Sequence, residues 1–414
     1  MGEESNLIEN NFDFIIQQIN SDYKGYNLQK ILGIEVGLIL LKGEKFSLKS
    51  LLKIFLSFSF KNLGSNCDSF FVLGKHGRKD YKEIVDYVVA QLDESECRLF
   101  DFNKNSLKVN LSVSNIFNFL KTTIHLRGLS WSNKLLLASK ICFYKNNIDA
   151  LEAVEFSKER CKNAVLFSSV HPWEAMFLYY FSKKQIETYS LQHGVYFIYK
   201  KSKPIDMLLY KNFIAHKHLC WGDYTKKEFS SYGIKESQLL IAGYPRPTNE
   251  ININISEGNK CIVILGRKVL NQSNINLLNV LIDFVKNDKD YCFYLKLHPS
   301  LNSSDFDKYI DDENFFILNN EKTMSEVLSM DIYNYSICVY TTAYYEVFLK
   351  GLIAFRFHDD SSELSEGIQN DIFYDTLGLR ELFNSEVKKE LVDEKLKYII
   401  GYNINNYKKI LGNG

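Results

Sequence analysis

The chain is poor in proline, with 5 in 414 residues, and it has no net charge, since 50 basic residues match 50 acidic ones. The basic excess of a general nucleic-acid binder is absent, so no nucleic-acid partner is expected. None of the 8 cysteines stands in a C-x-x-C pair, and no histidine lies at zinc-finger spacing from one. That pattern excludes the common structural zinc sites. Cys261 and Cys338 sit inside apolar runs (CIVIL, ICVY), which suits buried free thiols in a reducing compartment better than disulfides. Long apolar runs are missing too. The stretches near 31–41 and 51–60 are broken by Gly, Glu, Lys or Ser and are too short to span a bilayer. The start MGEES lacks the basic and apolar regions of a secretion signal, and Asn6 breaks the myristoylation pattern. The expected location is cytoplasmic, with the inner face of the cell membrane as the alternative. Peripheral membrane contact stays open because Ser47–Leu63 mixes Lys with Leu, Ile and Phe at helical spacing. Such a segment is either an ordinary packed helix or one that faces a membrane or partner. No G-x-G-x-x-G, P-loop, G-x-S-x-G or H-E-x-x-H stands at a usable place, which removes the usual signals of dehydrogenases, P-loop kinases, serine esterases and zinc proteases.

Hydrophobic residues make up 46% of the chain, enough for two buried cores. Domains typically run ~100–200 residues, so two are expected. In the first half, Ser69–Leu73 (SFFVL), Ala164–Ser168 (AVLFS) and Glu187–Leu191 (ETYSL) read as strands, with helices at Tyr81–Leu92 and Trp173–Phe181. In the second half, Cys261–Leu265, Tyr291–Leu297, Ser336–Tyr340 and Leu352–Phe357 read as strands, and Asn274–Val285 and Ala343–Leu349 as helices. Strands alternating with helices argue for parallel sheets covered on both faces. The predicted fold is α/β, with two Rossmann-like domains facing a central cleft. Residues 1–245 form the first, with 1–65 as a helical extension, and 246–414 the second. The join falls in Ala242–Asn254, and a last helix near 385–400 packs on either domain.

Prolines mark the candidate chemistry. Pro172 follows His171, Pro299 follows His298, and Pro245 and Pro247 flank Arg246 at the join. Proline fixes its own φ and keeps the preceding residue out of the helical region, so each His-Pro pair sets an imidazole on a defined turn. Lys296-Leu297-His298-Pro299 ends a predicted strand, where open α/β sheets bind ligands. An imidazole N–H there can donate to a phosphate. Thr341-Thr342 ends another strand and opens a helix, and reads as an anion site or as an ordinary cap. Gly266-Arg267-Lys268 adds a flexible backbone and two cations at a third strand end. In the first half, Gln192-His193-Gly194 follows a strand. The glycine admits a ligand close to the backbone, and His193 is a candidate general base, because an unperturbed imidazole titrates near neutrality. His171 and Glu174 follow the preceding strand, and serve either chemistry or a structural turn. The basic run Lys75-His76-Gly77-Arg78-Lys79 is an exposed loop or a cover over an acceptor. His216 and His218 read as surface or packing residues.

Leu191–Val195 (LQHGV), Cys220–Arg246 (CWGDYTKKEFSSYGIKESQLLIAGYPR), Leu295–Pro299 (LKLHP) and Tyr340–Gly351 (YTTAYYEVFLKG) carry a resemblance. Together they resemble bacterial surface-polysaccharide glycosyltransferases of the GT-B fold, in particular the capsule-synthesis, CDP-glycerol glycerophosphotransferase and sialyltransferase or polysialyltransferase-like groups. The resemblance covers residues 160–360, and its 220–246 part is shared with the wider GT-B and sugar-epimerase group. It implies that His193-Gly194 and His298-Pro299 flank the cleft between an acceptor-binding first domain and a donor-binding second domain. Thr341-Thr342 would hold the donor phosphate and Glu346 would face the nucleotide ribose. Gln192 stands where the glycerophosphotransferases usually have Trp. The acidic catalytic residue of the sialyltransferases maps to Asp80 or Glu174.

The implied reaction is an inverting transfer from a nucleotide-activated sugar, CMP-linked and acidic before UDP-linked, to a glycan or lipid-linked glycan. His193, Glu174 or Asp80 is the base. Gly266, Arg267, Lys268, His298, Pro299, Thr341 and Thr342 meet the nucleotide, while Gln192, Gly194, His171, His76 and Arg78 meet the acceptor. No Asp-x-Asp stands at a predicted strand end, so no metal or other cofactor is expected. A CDP-polyol phosphotransferase, a nucleotide-sugar epimerase and an inactive scaffold of the same fold are the alternatives.

Overall fold

The computed structural model describes residues 2–42, 46–60, 63, 67–75, 78–156, 161–248, 250, 251, 253, 258–309, 313–319, 321–330, 332–363, 365–385 and 388–412. The first part comprises α1 (Gly2–Gln17), α2 (Leu28–Lys42), α3 (Leu48–Leu52), β1 (Leu56–Phe58), β2 (Ser69–Leu73), α4 (Lys79–Ala90), β3 (Cys97–Asp101) and β4 (Leu107–Val109). It continues with α5 (Val113–His125), α6 (Trp131–Glu152), β5 (Asn163–Leu166), α7 (Pro172–Lys183), β6 (Glu187–Leu191), α8 (Lys203–Asp206), α9 (Leu208–Lys211), β7 (Lys217–Cys220), α10 (Asp223–Ser231) and β8 (Leu239–Ile241). The second part holds β9 (Lys260–Ile264), α11 (Asn271–Val285), β10 (Cys292–Lys296), β11 (Phe315–Ile317), α12 (Met324–Leu328), β12 (Tyr335–Cys338), α13 (Ala343–Phe348), β13 (Ile353–Phe357) and β14 (Ile372–Phe373). Then come α14 (Thr376–Phe383), α15 (Lys389–Ile400) and α16 (Tyr407–Leu411).

Two six-stranded sheets organise the molecule, in the orders β3-β2-β5-β6-β7-β8 and β11-β10-β9-β12-β13-β14. Every pairing within them is parallel. All five residues of β2 and of β13 are buried, as strands covered on both faces are, and the one charge among them, Arg356 of β13, is paired with Asp371. Strand order reverses between β2 and β5 in the first sheet and between β9 and β12 in the second. Ligands bind beyond the carboxyl ends of strands at such points, so the loops that leave these strands are where a site belongs.

The Ser47–Leu63 segment is not one helix. It breaks into α3, a 3-10 turn at Lys53–Phe55 and β1, which pairs antiparallel with β4. Ile54, Phe58 and Phe60 enter the first core while Leu48 and Leu52 stay exposed. All eight cysteines are unpaired, six of them buried. His218 is buried against Phe229, and His216 Nδ1 accepts the Thr188 N–H.

The chain expected to remain in a second domain, 246–414, does not do so to its end. After α15, which packs between the two parts, the backbone crosses back over the first. Tyr407 and Leu411 enter the core around Phe71, Val165 and Leu219. The crossing is backbone on backbone. Gly401 (φ +67) and Gly243 (φ +100) both adopt the left-handed region, and a Cβ at either would lie within 2.0 Å of the Trp221 or Ile404 carbonyl oxygen. Asn406 N–H donates to the Ala242 carbonyl at 2.9 Å, and the Tyr407 hydroxyl to that of Gly243 at 2.8 Å. The open apolar face of the first sheet, which α4 alone does not cover, is the reason for the return.

Candidate functional site

The strand ends of the two sheets enclose a cleft of about 650 Å³. On the second wall, Lys296 closes β10, and burial lowers its pKa. His298 follows on the turn that Pro299 fixes. Its Nδ1 accepts the Ser300 backbone N–H at 3.1 Å. A ring nitrogen that accepts an N–H carries no proton, so the neutral imidazole keeps its proton on Nε2. Burial, and then the charges of Arg78 and Arg267, push the pKa of His298 down to about 4. At neutral pH it is an uncharged N–H donor in a cationic setting.

Gly266 is fixed by Asn274, which accepts its N–H at 2.8 Å and donates to its carbonyl at 3.0 Å. A Cβ there would lie 2.8 Å from Leu270 and 3.1 Å from the Val339 carbonyl, so the residue serves tight packing beside β12. Arg267 reaches across to the first part. Its guanidinium donates to Asp206 at 2.9 Å and lies 4.1 Å over the Tyr199 ring. Lys268 is exposed and is not among the lining residues. Thr341 Oγ1 accepts the Ala343 N–H at 3.3 Å, a weak cap. The Thr342 hydroxyl is engaged by Val195, accepting its N–H at 3.0 Å and donating to its carbonyl at 3.3 Å. Glu346 accepts the Tyr244 hydroxyl at 3.0 Å and stands 3.5 Å from Arg246, itself 4.0 Å from Glu83 of α4.

On the first wall, α4 begins with Arg78, Lys79, Asp80 and Tyr81 at the cleft. Arg78 is ion-paired with Asp80, and its guanidinium lies 4.1 Å over the Tyr81 ring. His193 sits in an aromatic pocket, its ring 5.7 Å from Tyr81, 5.3 Å from Phe167, 5.4 Å from Tyr196 and 5.6 Å from His171. Gly194 faces Thr342, whose Oγ1 would lie 3.0 Å from a Cβ at this position. Two sequence candidates stand behind the wall instead. Glu174 is fully buried and accepts the Gly74 N–H at 2.9 Å. Gln192 is buried too. It accepts the Trp221 N–H at 2.6 Å and donates to the Thr225 hydroxyl at 3.0 Å. His76 lies outside the described residues. Among the described residues, no group of three or more His, Cys, Asp or Glu side chains could hold a metal ion.

The segment that follows His193 belongs to both parts. Val195 and Tyr199 are buried in cores of the second, and the Tyr199 hydroxyl donates to the Tyr340 carbonyl at 2.8 Å. Tyr340 itself has φ +40, an unusual value for a non-glycine at a strand end.

No family model matches the sequence, and no curated protein matches it. The fold is similar to that of solved structures. The UDP-GlcNAc 2-epimerase of Neisseria meningitidis bound to UDP-GlcNAc matches with a TM-score of 0.51 and 11% identity, over 84% of this chain and 98% of that one. The S. aureus MnaA–UDP complex matches at 0.52 and 11%, over 84% and 95%. The wall teichoic acid polymerase TagF gives 0.43 and 14%, over 84% and 87%. The fold is α/β, of the GT-B type with two Rossmann-like sheets facing a cleft.

Several lining residues carry little chemical signal in the sequence. Lys296 stands inside the LKLHP run without a mark of its own. Arg246, between two prolines, marked only the join. Tyr81, Tyr196, Tyr199 and Asp206 carried no signal beyond residue type. Residues 321–323 and the first turn of α12 reach the cleft, and their only sequence mark is the Thr323/Glu326 capping box.

Proposed function

We propose that this protein transfers a sugar from a nucleotide-activated donor to a glycan acceptor in surface-polysaccharide synthesis. One observation carries the reading. The neutral His298 donor, with Lys296 and Arg267, faces His193 and Asp80 across a single cleft at the switch points of both sheets. Anion-binding groups on one wall opposite a proton acceptor on the other suit group transfer from a phosphate-linked donor. A UDP-linked sugar is favoured over a CMP-linked acidic one, because the two solved structures with the higher TM-scores hold UDP-GlcNAc and UDP.

In this mechanism the acceptor hydroxyl gives its proton to His193 as its oxygen bonds to the anomeric carbon. The bond from that carbon to the phosphate oxygen breaks, and its electron pair leaves with the nucleotide. His298 Nε2–H, Lys296 and Arg267 meet the charge that develops there, without a metal ion. Glu174 and Gln192 act as positioning residues, through Gly74 and Trp221. A second reading, interconversion of a nucleotide sugar without an acceptor, is favoured by the N. meningitidis epimerase likeness. The test is a thermal-shift screen with CMP, CDP, UDP and GDP, followed by incubation of the matching nucleotide sugar with and without glycan acceptors in EDTA. Transfer that needs an acceptor supports the proposal. A change in the sugar without one supports the second reading. If no nucleotide stabilises the protein, both fall.

A further inference from the structure

Helix α5 carries an amphipathic pattern turned the wrong way round. Val113, Ile116, Phe117, Leu120 and Ile124 follow helical spacing and form one stripe. A surface helix normally turns such a stripe to the core. Here all five are exposed, by 43% to 83%, whereas Asn115 and Thr123 are buried beside Phe119. The apolar surface continues on neighbouring elements. Leu107 and Val109 of β4, and then Leu111, are exposed, as are Leu48 and Leu52 of α3. Trp131, at the start of α6, is 67% exposed. These elements form one body. Asn110 N–H donates to the Phe55 carbonyl at 2.7 Å, the Asn115 side chain to the Asn110 carbonyl at 3.4 Å, and Phe46 N–H to the Ser132 hydroxyl at 3.0 Å.

A contiguous exposed apolar face marks an interaction surface, and its rim says with what. No Asp or Glu occurs from 45 to 67 or from 102 to 148, the two segments that build the face. Lys49, Lys53, Lys104, Lys108, Lys121 and Arg127 are all exposed there. Lys134 lies 5.1 Å over the Trp131 ring. A self-complementary dimer through this face would bring like charges together. A bilayer surface rich in anionic phospholipid complements it: the cations reach phosphates while the apolar side chains and the indole enter the headgroup boundary. Among the described residues no helix is long and apolar enough to cross a membrane, so the contact is lateral.

We propose that α3, β4, α5 and the start of α6 dock this protein on an anionic phospholipid surface. The test is co-sedimentation of the full chain with vesicles of phosphatidylcholine alone and of phosphatidylcholine mixed with phosphatidylglycerol. Binding should be at least ~10-fold tighter to the anionic vesicles and should weaken with salt. Phe117→Ser/Leu120→Ser should lower partitioning ~10-fold or more without moving the thermal midpoint, because both side chains are exposed. Lys108→Glu/Lys121→Glu keeps the stripe and should abolish the preference for phosphatidylglycerol. The proposal is overturned if the parent stays in the supernatant with anionic vesicles at low salt, or if both variants bind as the parent does. It is also overturned if the parent is a dimer that Phe117→Ser/Leu120→Ser turns into a monomer.

Discussion

The hydroxyl of Thr342 satisfies both backbone polar groups of Val195, accepting the N–H at 3.0 Å and donating to the carbonyl at 3.3 Å. One side chain of the second wall thus holds the segment that carries His193, where a neighbouring strand would otherwise be needed. Thr342→Val keeps the shape but strands two backbone groups, which costs about 1–3 kcal/mol. Denaturant unfolding should report that loss, turnover should fall with it, and Thr342→Ser should restore both. Unchanged stability and turnover in the valine variant would show the clasp to be idle.

On the proposed reading, His298 meets the donor as an uncharged N–H. His298→Ala should weaken nucleotide binding by about 1.5–3 kcal/mol in calorimetry, the range for a hydrogen bond to a charged group. With its pKa pushed down to about 4, the ring stays neutral at ordinary working pH. The gap in affinity between parent and variant should therefore stay constant as pH falls through 6.5, the usual value for the group. A gap that widens there would mean that the ring binds as a cation.

The base is tested by comparing turnover at saturating donor in His193→Ala, Asp80→Asn and Glu174→Gln, with nucleotide affinity measured alongside. His193→Ala should fall ~10²–10⁴-fold in turnover while still binding nucleotide. Asp80, held by Arg78, should matter less. Glu174→Gln should act through stability, because it holds Gly74 from behind the wall. An active His193→Ala beside a dead Asp80→Asn that still binds nucleotide would reassign the role.

Stability should also depend on pH through a histidine outside the site. Burial against Phe229 pushes His218 down to about 3. Between 6.5 and that value the unfolded chain takes a proton that the native state refuses, so stability falls with pH. The slope approaches about 1.4 kcal/mol per pH unit. Glu228, pushed up to about 7 by burial, works the opposite way, since between 7 and 4.5 the native state holds the extra proton. The difference between parent and His218→Phe isolates the imidazole. The variant should gain on the parent as pH drops below 6.5, and parallel pH profiles would place a charged His218 in the native fold.

Strands such as SFFVL and CIVIL are legible because a parallel strand covered on both faces is one apolar run. β7 (KHLC) opens with Lys and His, and β8 has only three residues, so neither stands out as an apolar run. Helix α6 hides for another reason: it buries Lys140, Asn146 and Asn147 among its apolar residues. Those groups are matched by distant partners, such as the Ile54 carbonyl for Asn146, and a single sequence does not announce such partners. At the site, proline and glycine neighbours gave away His298 and His193. Adjacency did not say which way a side chain turns. Gln192 and His193 are consecutive, yet one braces Trp221 inside the wall and the other faces the cleft.

The return of residues 401–411 to the first sheet sets the order in which the protein can be completed during synthesis. The face that holds Phe71, Val165 and Leu219 waits for Tyr407 and Leu411, and these emerge from the ribosome only after every strand of the second sheet. Domains made early usually fold as units before later ones appear. Here the first sheet remains unfinished, with apolar surface uncovered, until the second has been made. From completion of the first sheet until residues 407–411 are made, the nascent chain therefore exposes a surface suited to chaperone capture.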